Sequence, residues 1–184
     1  MKRIALTVIS LLLLSGCSSA MEETSPQKFS VPKDCVDTKI LAAFPDKVPN
    51  AKYVPTKWEP SEGTDLYAVY EAGGIACTYG IQEAEVGATV MWAPNDNNAF
   101  GSRESIWIAD GQKAIDLPGL AEEKAYYLSQ GNESGEEYIV WGVNLLINGT
   151  WIQVNATFFQ SIEEAMPLIE AAVNSLVALD VSDN

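Results

Sequence analysis

Two apolar segments that flank Asn148-Gly149 constrain the fold of this chain more than any other feature. Asn-Gly is the favoured pair for a two-residue type I′ turn between antiparallel strands. A turn there makes the following pairs: Ile147–Thr150, Leu145–Ile152, Val143–Val154, Trp141–Ala156 and Ile139–Phe158. Because side chains alternate along a strand, the other face carries polar residues: Asn144, Gln153, Asn155 and Thr157. The pattern predicts a hairpin with one buried and one solvated face.

A second hairpin is predicted around Gly73-Gly74. A two-residue turn there pairs only apolar or aromatic residues: Ala72–Ile75, Tyr70–Cys77, Ala68–Tyr79 and Leu66–Ile81. The segment Val86 to Trp92 alternates in the same way and predicts a fifth strand.

Helical patterns occur at both ends of the predicted domain. Residues 34–44 place apolar side chains at helical spacing, and Pro45 stops the run. Near the other end, Ser161 and Glu164 form a capping box before an apolar stripe that Pro167 interrupts. We therefore predict an α+β fold in which an antiparallel sheet of about five or more strands is covered on one face by an N-terminal and a C-terminal helix.

The first residues have the three parts of a secretory signal. Lys2 and Arg3 precede an apolar run from Ile4 to Leu14, which ends in the sequence Leu14-Ser15-Gly16-Cys17. This tetrapeptide resembles the lipobox of bacterial lipoproteins. The resemblance implies cleavage before Cys17 and a diacylglycerol on its sulfur, whereas an ordinary signal peptide would be cut near Ala20.

The predicted domain organisation follows from this leader. Residues 1–16 are the signal peptide, residues 17–33 a lipidated flexible tether rich in Ser, Glu, Thr and Pro, and residues 34–184 a single extracytoplasmic domain. The lipid on Cys17 would anchor the domain to the outer face of the cell membrane. In an organism with two membranes, Ser18 favours the outer membrane because no aspartate follows the cysteine.

With Cys17 used by the lipid, Cys35 and Cys77 remain as an even pair in an exported protein. We predict a disulfide between them, in preference to a metal or catalytic role. Since Cys77 points to the apolar face of its strand, the bond would hold the first helix on the sheet.

Composition excludes several chemistries. The chain has no histidine, so histidine-based catalytic triads and common zinc sites are absent. After removal of the leader, 9 basic residues stand against 25 acidic ones, a net charge of −16 that repels nucleic acid. No cofactor-binding motif occurs, and no cofactor or metal is predicted. Asn95 to Asn98 is predicted to be a solvated turn rather than a calcium site.

The order of these features is similar to that of small lipoproteins of the actinobacterial cell envelope. The shared features are the lipobox, the tether, Cys35 at a helix start, Cys77-Thr78-Tyr79 in a strand, Leu117-Pro118-Gly119-Leu120 before Ala125, and a final hairpin and helix. The resemblance implies architecture and attachment to the envelope, and assigns no activity.

For function, we expect a non-catalytic binding or accessory module with an envelope protein, glycan or lipid as partner. Binding would use the polar sheet face or residues 95–135, with Trp151 as the candidate exposed contact. The alternatives are a carrier of lipid and a hydrolase of wall polymers. The hydrolase would use carboxylates from three pairs: Glu122-Glu123, Glu136-Glu137 and Glu163-Glu164.

Overall fold

The computed structural model describes residues 28–130 and 140–179. The strands are β1 (Phe29–Ser30), β2 (Lys52–Val54), β3 (Ile75–Ile81), β4 (Val86–Pro94), β5 (Lys113–Ala114), β6 (Lys124–Gln130), β7 (Val140–Ile147), β8 (Thr150–Ala156) and β9 (Val177–Ala178). The α-helices are α1 (Asp65–Glu71), α2 (Ala99–Ala109) and α3 (Ile162–Val173). Short 3₁₀ turns occur at Cys35–Asp37, Leu41–Ala43 and Gln82–Ala84.

The main sheet has seven strands in the order β2-β3-β4-β8-β7-β6-β5, and every neighbouring pair is antiparallel. Strands β1 and β9 form a separate two-stranded antiparallel sheet. The prediction of an α+β fold with an antiparallel sheet of five or more strands is therefore confirmed.

The hairpin at Asn148-Gly149 has the predicted register. Ile147 pairs with Thr150, and the pairing continues outward to Trp141 and Ala156. Asn148 and Gly149 both have positive φ, as a type I′ turn requires. The predicted fifth strand is β4, in which Val90 and Trp92 are fully buried. The pair Ile139–Phe158 and the polar loop from Gly131 to Glu137 lie outside the described residues.

The predicted hairpin at Gly73-Gly74 is wrong, because residues 65–71 form α1. Gly73 has a φ of +76° and ends this helix in a Schellman motif. Its N–H donates to Tyr70 O over 2.9 Å, and Gly74 N–H donates to Val69 O over 2.8 Å. Strand β3 pairs instead with β4, which follows it after the turn at Gln82–Ala84.

The main sheet is covered on both faces, which corrects the prediction of a cover on one face. On the first face, side chains such as Tyr79, Val90 and Ile152 form one core with α3 and the two N-terminal 3₁₀ turns. On the second face, Met91 and Trp151 pack in a separate core with α1 and α2. The second face is therefore covered by α1 and α2, which the sequence pattern did not predict as helices.

The N-terminal segment is bound to the sheet by a disulfide between Cys35 and Cys77, as predicted. The predicted helix over residues 34–44 is two 3₁₀ turns, the first capped by Asp34. The Tyr79 hydroxyl donates to Cys35 O over 2.8 Å and lies 2.6 Å from Thr38 Oγ1. Burial of the Tyr79 ring raises the pKa of its hydroxyl to about 12, so the hydroxyl stays protonated to higher pH than that of an exposed tyrosine.

The predicted tether extends too far toward the domain. Residues Phe29–Ser30 form β1, which pairs with Val177–Ala178, and Pro32 is buried. The ordered domain thus includes Lys28 and the residues after it, because the end of the chain supplies a partner strand that local composition does not reveal.

Helix α3 begins as the capping box predicts. Ser161 Oγ accepts a hydrogen bond from Glu164 N–H over 3.3 Å. The helix continues through Pro167 to Val173, and its start is not displaced. Ala165, Leu168 and Ile169 are buried against the first sheet face.

The predicted leader and Cys17 lie outside the described residues. Within residues 28–130 and 140–179, no helix is long and apolar enough to cross a bilayer.

Candidate binding site

The second face of the main sheet is only partly covered by helices. The buried side chains of α1 and α2 pack against Ala76, Met91 and Trp151. These three residues lie toward one end of β3, β4 and β8. Toward the other end, the same face presents Thr78, Thr89 and Asn155 in adjacent register positions. A pocket of about 350 Å³ lies at this uncovered end.

The pocket combines an apolar wall with a few neutral polar groups. Val54, Ile81 and Val86 are the aliphatic residues of the lining, and Thr78, Thr89 and Asn155 are its hydroxyl and amide residues. Glu85, at the rim, is the one carboxylate among the lining residues. A concave, largely apolar surface with a few polar groups is typical of a site for a small organic ligand.

The pocket adjoins a polar network that is buried beneath α1 and α2. Asn155 Nδ2 donates to Gln153 Oε1 over 2.9 Å, and Gln153 Nε2 donates to Asp65 Oδ2 over 2.6 Å. Asp65 also accepts from Arg103 Nε (2.6 Å) and Trp107 Nε1 (2.8 Å). The side chains of Asp65 and Arg103 are 19% and 11% exposed. This network fixes the position of α1 and α2 over the sheet and orients Asn155 at the pocket.

Trp151 is part of this buried layer, which corrects its prediction as an exposed contact. Its side chain is 0% exposed and packs against Trp107, with ring centroids 5.4 Å apart. Its Nε1 donates to Asn144 Oδ1 over 2.9 Å, and Asn144 Nδ2 donates to Gln112 Oε1 over 3.1 Å. Trp151 and Asn144 do project from the face predicted to be solvated, but α2 covers them.

The turn at Asn95 to Asn98 leads directly into α2 and supplies a hydrogen-bond acceptor to its first turn. Asn95 Oδ1 accepts a hydrogen bond from Phe100 N–H over 2.9 Å, so this amide oxygen has a structural partner. Among the described residues, no group of three or more His, Cys, Asp or Glu side chains is arranged to hold a metal ion.

Three of the carboxylates predicted for a hydrolase, those of Glu122, Glu163 and Glu164, have structural partners. Glu122 Oε1 accepts from Leu117 N–H over 2.7 Å and holds the loop beside it. Glu164 pairs with Lys47, and this contact lowers the pKa of the Glu164 carboxyl. A hydrogen bond to a backbone N–H lowers the pKa of Glu163. Carboxyls with lowered pKa remain ionised, which does not suit a general acid. Glu136 and Glu137 lie outside the described residues.

Asp65 and its partners were missed by the sequence reasoning, although one signal was present. Thr64 precedes Asp65, and its Oγ1 accepts from Tyr67 N–H over 3.1 Å, the geometry of a helix N-cap. A Thr-Asp pair before an apolar run predicts a helix start. That signal would have placed Asp65 in the first turn of a helix, but not beside Arg103.

Comparisons of the chain with protein-family models, with curated proteins and with solved structures give no match in any of the three. Residues 28–130 and 140–179 form an α+β fold in which one face of the main sheet is only partly covered.

Proposed function

We propose that this protein is an extracytoplasmic lipoprotein, anchored to a membrane by the lipid on Cys17. The proposal is supported by the basic pair, the apolar run and the lipobox-like tetrapeptide that precede Cys17. The disulfide between Cys35 and Cys77 is consistent with an oxidising compartment outside the cytoplasm. Several acyl chains on one cysteine give lasting attachment, because a single chain binds a bilayer only marginally.

We further propose that the domain is a binding module whose ligand occupies the pocket beside Asn155. The observation that carries this proposal is the partial cover of the second sheet face, which leaves a largely apolar pocket of about 350 Å³. Its size and lining suit an uncharged ligand with an apolar body, such as an acyl chain or a single ring system. Asn155 and the hydroxyls of Thr78 and Thr89 would meet a hydrogen-bonding group of that ligand.

Replacement of Cys17 by alanine is expected to abolish membrane attachment. In a bacterial host that processes lipoproteins, the natural chain should partition into the detergent phase of a Triton X-114 extract, and Cys17→Ala into the aqueous phase. The mass of the N-terminal peptide should show the diacylglycerol on Cys17 only in the natural chain. Ser18→Ala is the matched control, since it changes the adjacent residue and keeps the thiol. Equal partition of the natural chain and Cys17→Ala would contradict the anchor.

Replacement of Thr89 by tryptophan is expected to block the pocket. Thr89 lies on its floor between Thr78 and Asn155, and tryptophan suits a strand position. The uncharged apolar fluorophore N-phenyl-1-naphthylamine should bind the natural chain saturably, and Thr89→Trp should weaken this binding at least about tenfold, equivalent to about 1.4 kcal/mol.

Ser102→Trp is the matched control for this experiment. Ser102 is exposed on α2, so the variant adds one indole without changing the pocket. Saturable binding that is equal in Thr89→Trp and Ser102→Trp would place the probe elsewhere and contradict the proposed site.

A further inference from the structure

Exposed apolar side chains occur where the first and last described segments of the chain meet. Val177 and Leu179 are 42% and 44% exposed, and Val36 and Leu41 are 63% and 39% exposed. Leu179 N–H donates to Lys28 O over 2.8 Å, next to the pairing of β1 with β9. Lys39 N–H donates to Ser175 Oγ over 2.9 Å, so the segment with Val36 and Leu41 is held beside the segment that leads to β9.

Net charge differs between the N-terminal part of the described chain and the residues that follow it. Residues 28–57 contain six lysines and three aspartates, a net charge of +3, whereas residues 58–184 contain three basic and 20 acidic residues, a net charge of −17. Lys28, Lys33 and Lys39 are exposed, and none of them forms an ion pair with another described residue. Residues 28–57 are therefore basic on an otherwise acidic protein, and residues 28–41, which include β1, carry a net charge of +1 because Asp34 and Asp37 offset two of the three lysines.

The proposed lipid is close to this region along the chain. Eleven peptide units separate Cys17 from Lys28, so the two cannot be more than about 40 Å apart in any conformation. A lipid inserted in the bilayer thus keeps β1 near the headgroups. Because the chain between Cys17 and Lys28 is this short, the exposed residues around β1 meet the bilayer more often than any other surface.

We propose that the surface formed by Lys28, Lys33, Lys39, Val36, Leu41, Val177 and Leu179, here called the basal surface, rests on the anionic headgroups of the membrane that holds the lipid. This inference rests on the lipid anchor at Cys17 proposed above. The lysines attract anionic lipid, each strengthening contact about fivefold when it lies near the bilayer. The four apolar side chains are of a kind that enters the interfacial layer.

This orientation directs the pocket away from the bilayer. Trp92 Nε1 donates to Ala172 O over 2.9 Å, which places the end of α3, and β9 after it, near the Trp92 end of β4 on the first sheet face. The pocket lies at the Val86 end of β4, about 20 Å away along the strand, on the second face. The ligand would therefore reach the pocket from the aqueous side and not from the anchoring bilayer.

Amine-reactive labelling of the full lipidated protein tests the basal surface. The protein is reconstituted on phosphatidylcholine vesicles, either pure or with roughly a third phosphatidylglycerol, and modified lysines are quantified by mass spectrometry. On the anionic vesicles, we expect labelling of Lys28, Lys33 and Lys39 to slow at least threefold relative to pure phosphatidylcholine, by the same attraction. Lys113 and Lys124 lie on β5 and β6, at the opposite end of the main sheet from β3, to which the disulfide joins Cys35, so they serve as internal controls and should not change. Salt at about 1 M should restore labelling, because it shortens the screening length to about 3 Å.

A paired variant separates this contact from general crowding at the vesicle. Val177→Glu with Leu179→Glu should abolish the protection, while Ile106→Glu with Ile108→Glu, two exposed apolar residues on α2, should leave it unchanged. Equal labelling rates on the two kinds of vesicle, for protein that floats with both, would overturn the basal surface and leave the anchor intact. Failure of the natural chain to float with either vesicle would overturn the anchor and this inference with it.

Discussion

Replacing Cys35 and Cys77 together by alanine is expected to lower the free energy of unfolding by about 4 kcal/mol. The bond closes a sequence separation of 42 residues, and its loss restores the conformational freedom of that loop in the unfolded chain. Because the bond joins the N-terminal segment to the centre of β3, its loss should also release the contact between Tyr79 and Cys35 O at lower denaturant concentration than the rest of the sheet.

Guanidinium unfolding of the natural chain and the double variant measures this effect. The natural chain unfolded in the presence of a reductant is the matched control, because it loses the bond and keeps both sulfur atoms. We expect its stability to fall close to that of the variant. A difference below about 1 kcal/mol between the oxidised and reduced chains would show that the bond does not constrain the unfolded state as the loop length predicts.

Asp65→Ala is expected to lower the free energy of unfolding by about 3 kcal/mol, because it leaves buried partners without an acceptor. Asp65 accepts from Arg103, Trp107 and Gln153, and all three donors lie in the layer between the second sheet face and the helices. Without the carboxylate, the Arg103 guanidinium remains as a partly buried charge, since Asp65 is the one described residue with which it forms an ion pair. Such a change costs far more than the loss of an exposed ion pair.

Glu59→Ala is the matched control for Asp65→Ala. Glu59 pairs with Lys57, but the two side chains are 83% and 91% exposed, so its removal should change stability by less than about 0.5 kcal/mol. Denaturant unfolding of both variants gives the comparison. Equal stability of Asp65→Ala and Glu59→Ala would show that the hydrogen bonds of Asp65 do not stabilise the packing of α1 and α2 on the sheet.

These two variants act on opposite faces of one sheet. The disulfide holds the N-terminal segment on the first face, and Asp65 holds α1 and α2 on the second. Asp65→Ala should therefore reduce probe binding beside Asn155, because Gln153 connects the two residues, whereas loss of the disulfide should change chiefly stability.

The contrast between the two predicted hairpins shows what local patterns can resolve. At Asn148-Gly149 the flanking residues alternate between apolar and polar, so only one strand register buries the apolar set. Residues 66–72 are apolar at nearly every position, which fits a strand and a buried helix equally well. Gly-Gly is also compatible with both, since positive φ is needed in a type I′ turn and at a helix C-terminus.

The candidate site was harder to predict than the fold because its residues are far apart in sequence. Asp65 and Gln153 are separated by 88 positions, and Thr89 and Asn155 meet only through the pairing of β4 with β8. The prediction that Trp151 is exposed failed for the same reason. Its strand position was right, but the helix that covers it comes from residues 99–109, whose pattern fits a helix and a strand.

Local chemistry, readable along the chain, determined the hairpin at Asn148-Gly149, the capped start of α3, the pairing of the two domain cysteines and the absence of histidine chemistry. Each depends on residues that are neighbours in sequence or on simple counts, so no knowledge of distant packing is needed. The tertiary structure alone decided that both faces of the sheet are covered, that the second cover stops short of Asn155, and that the basic segment meets the end of the chain at β1 and β9. Those features arise from contacts between distant segments, and they depend on which buried partners the whole fold makes available.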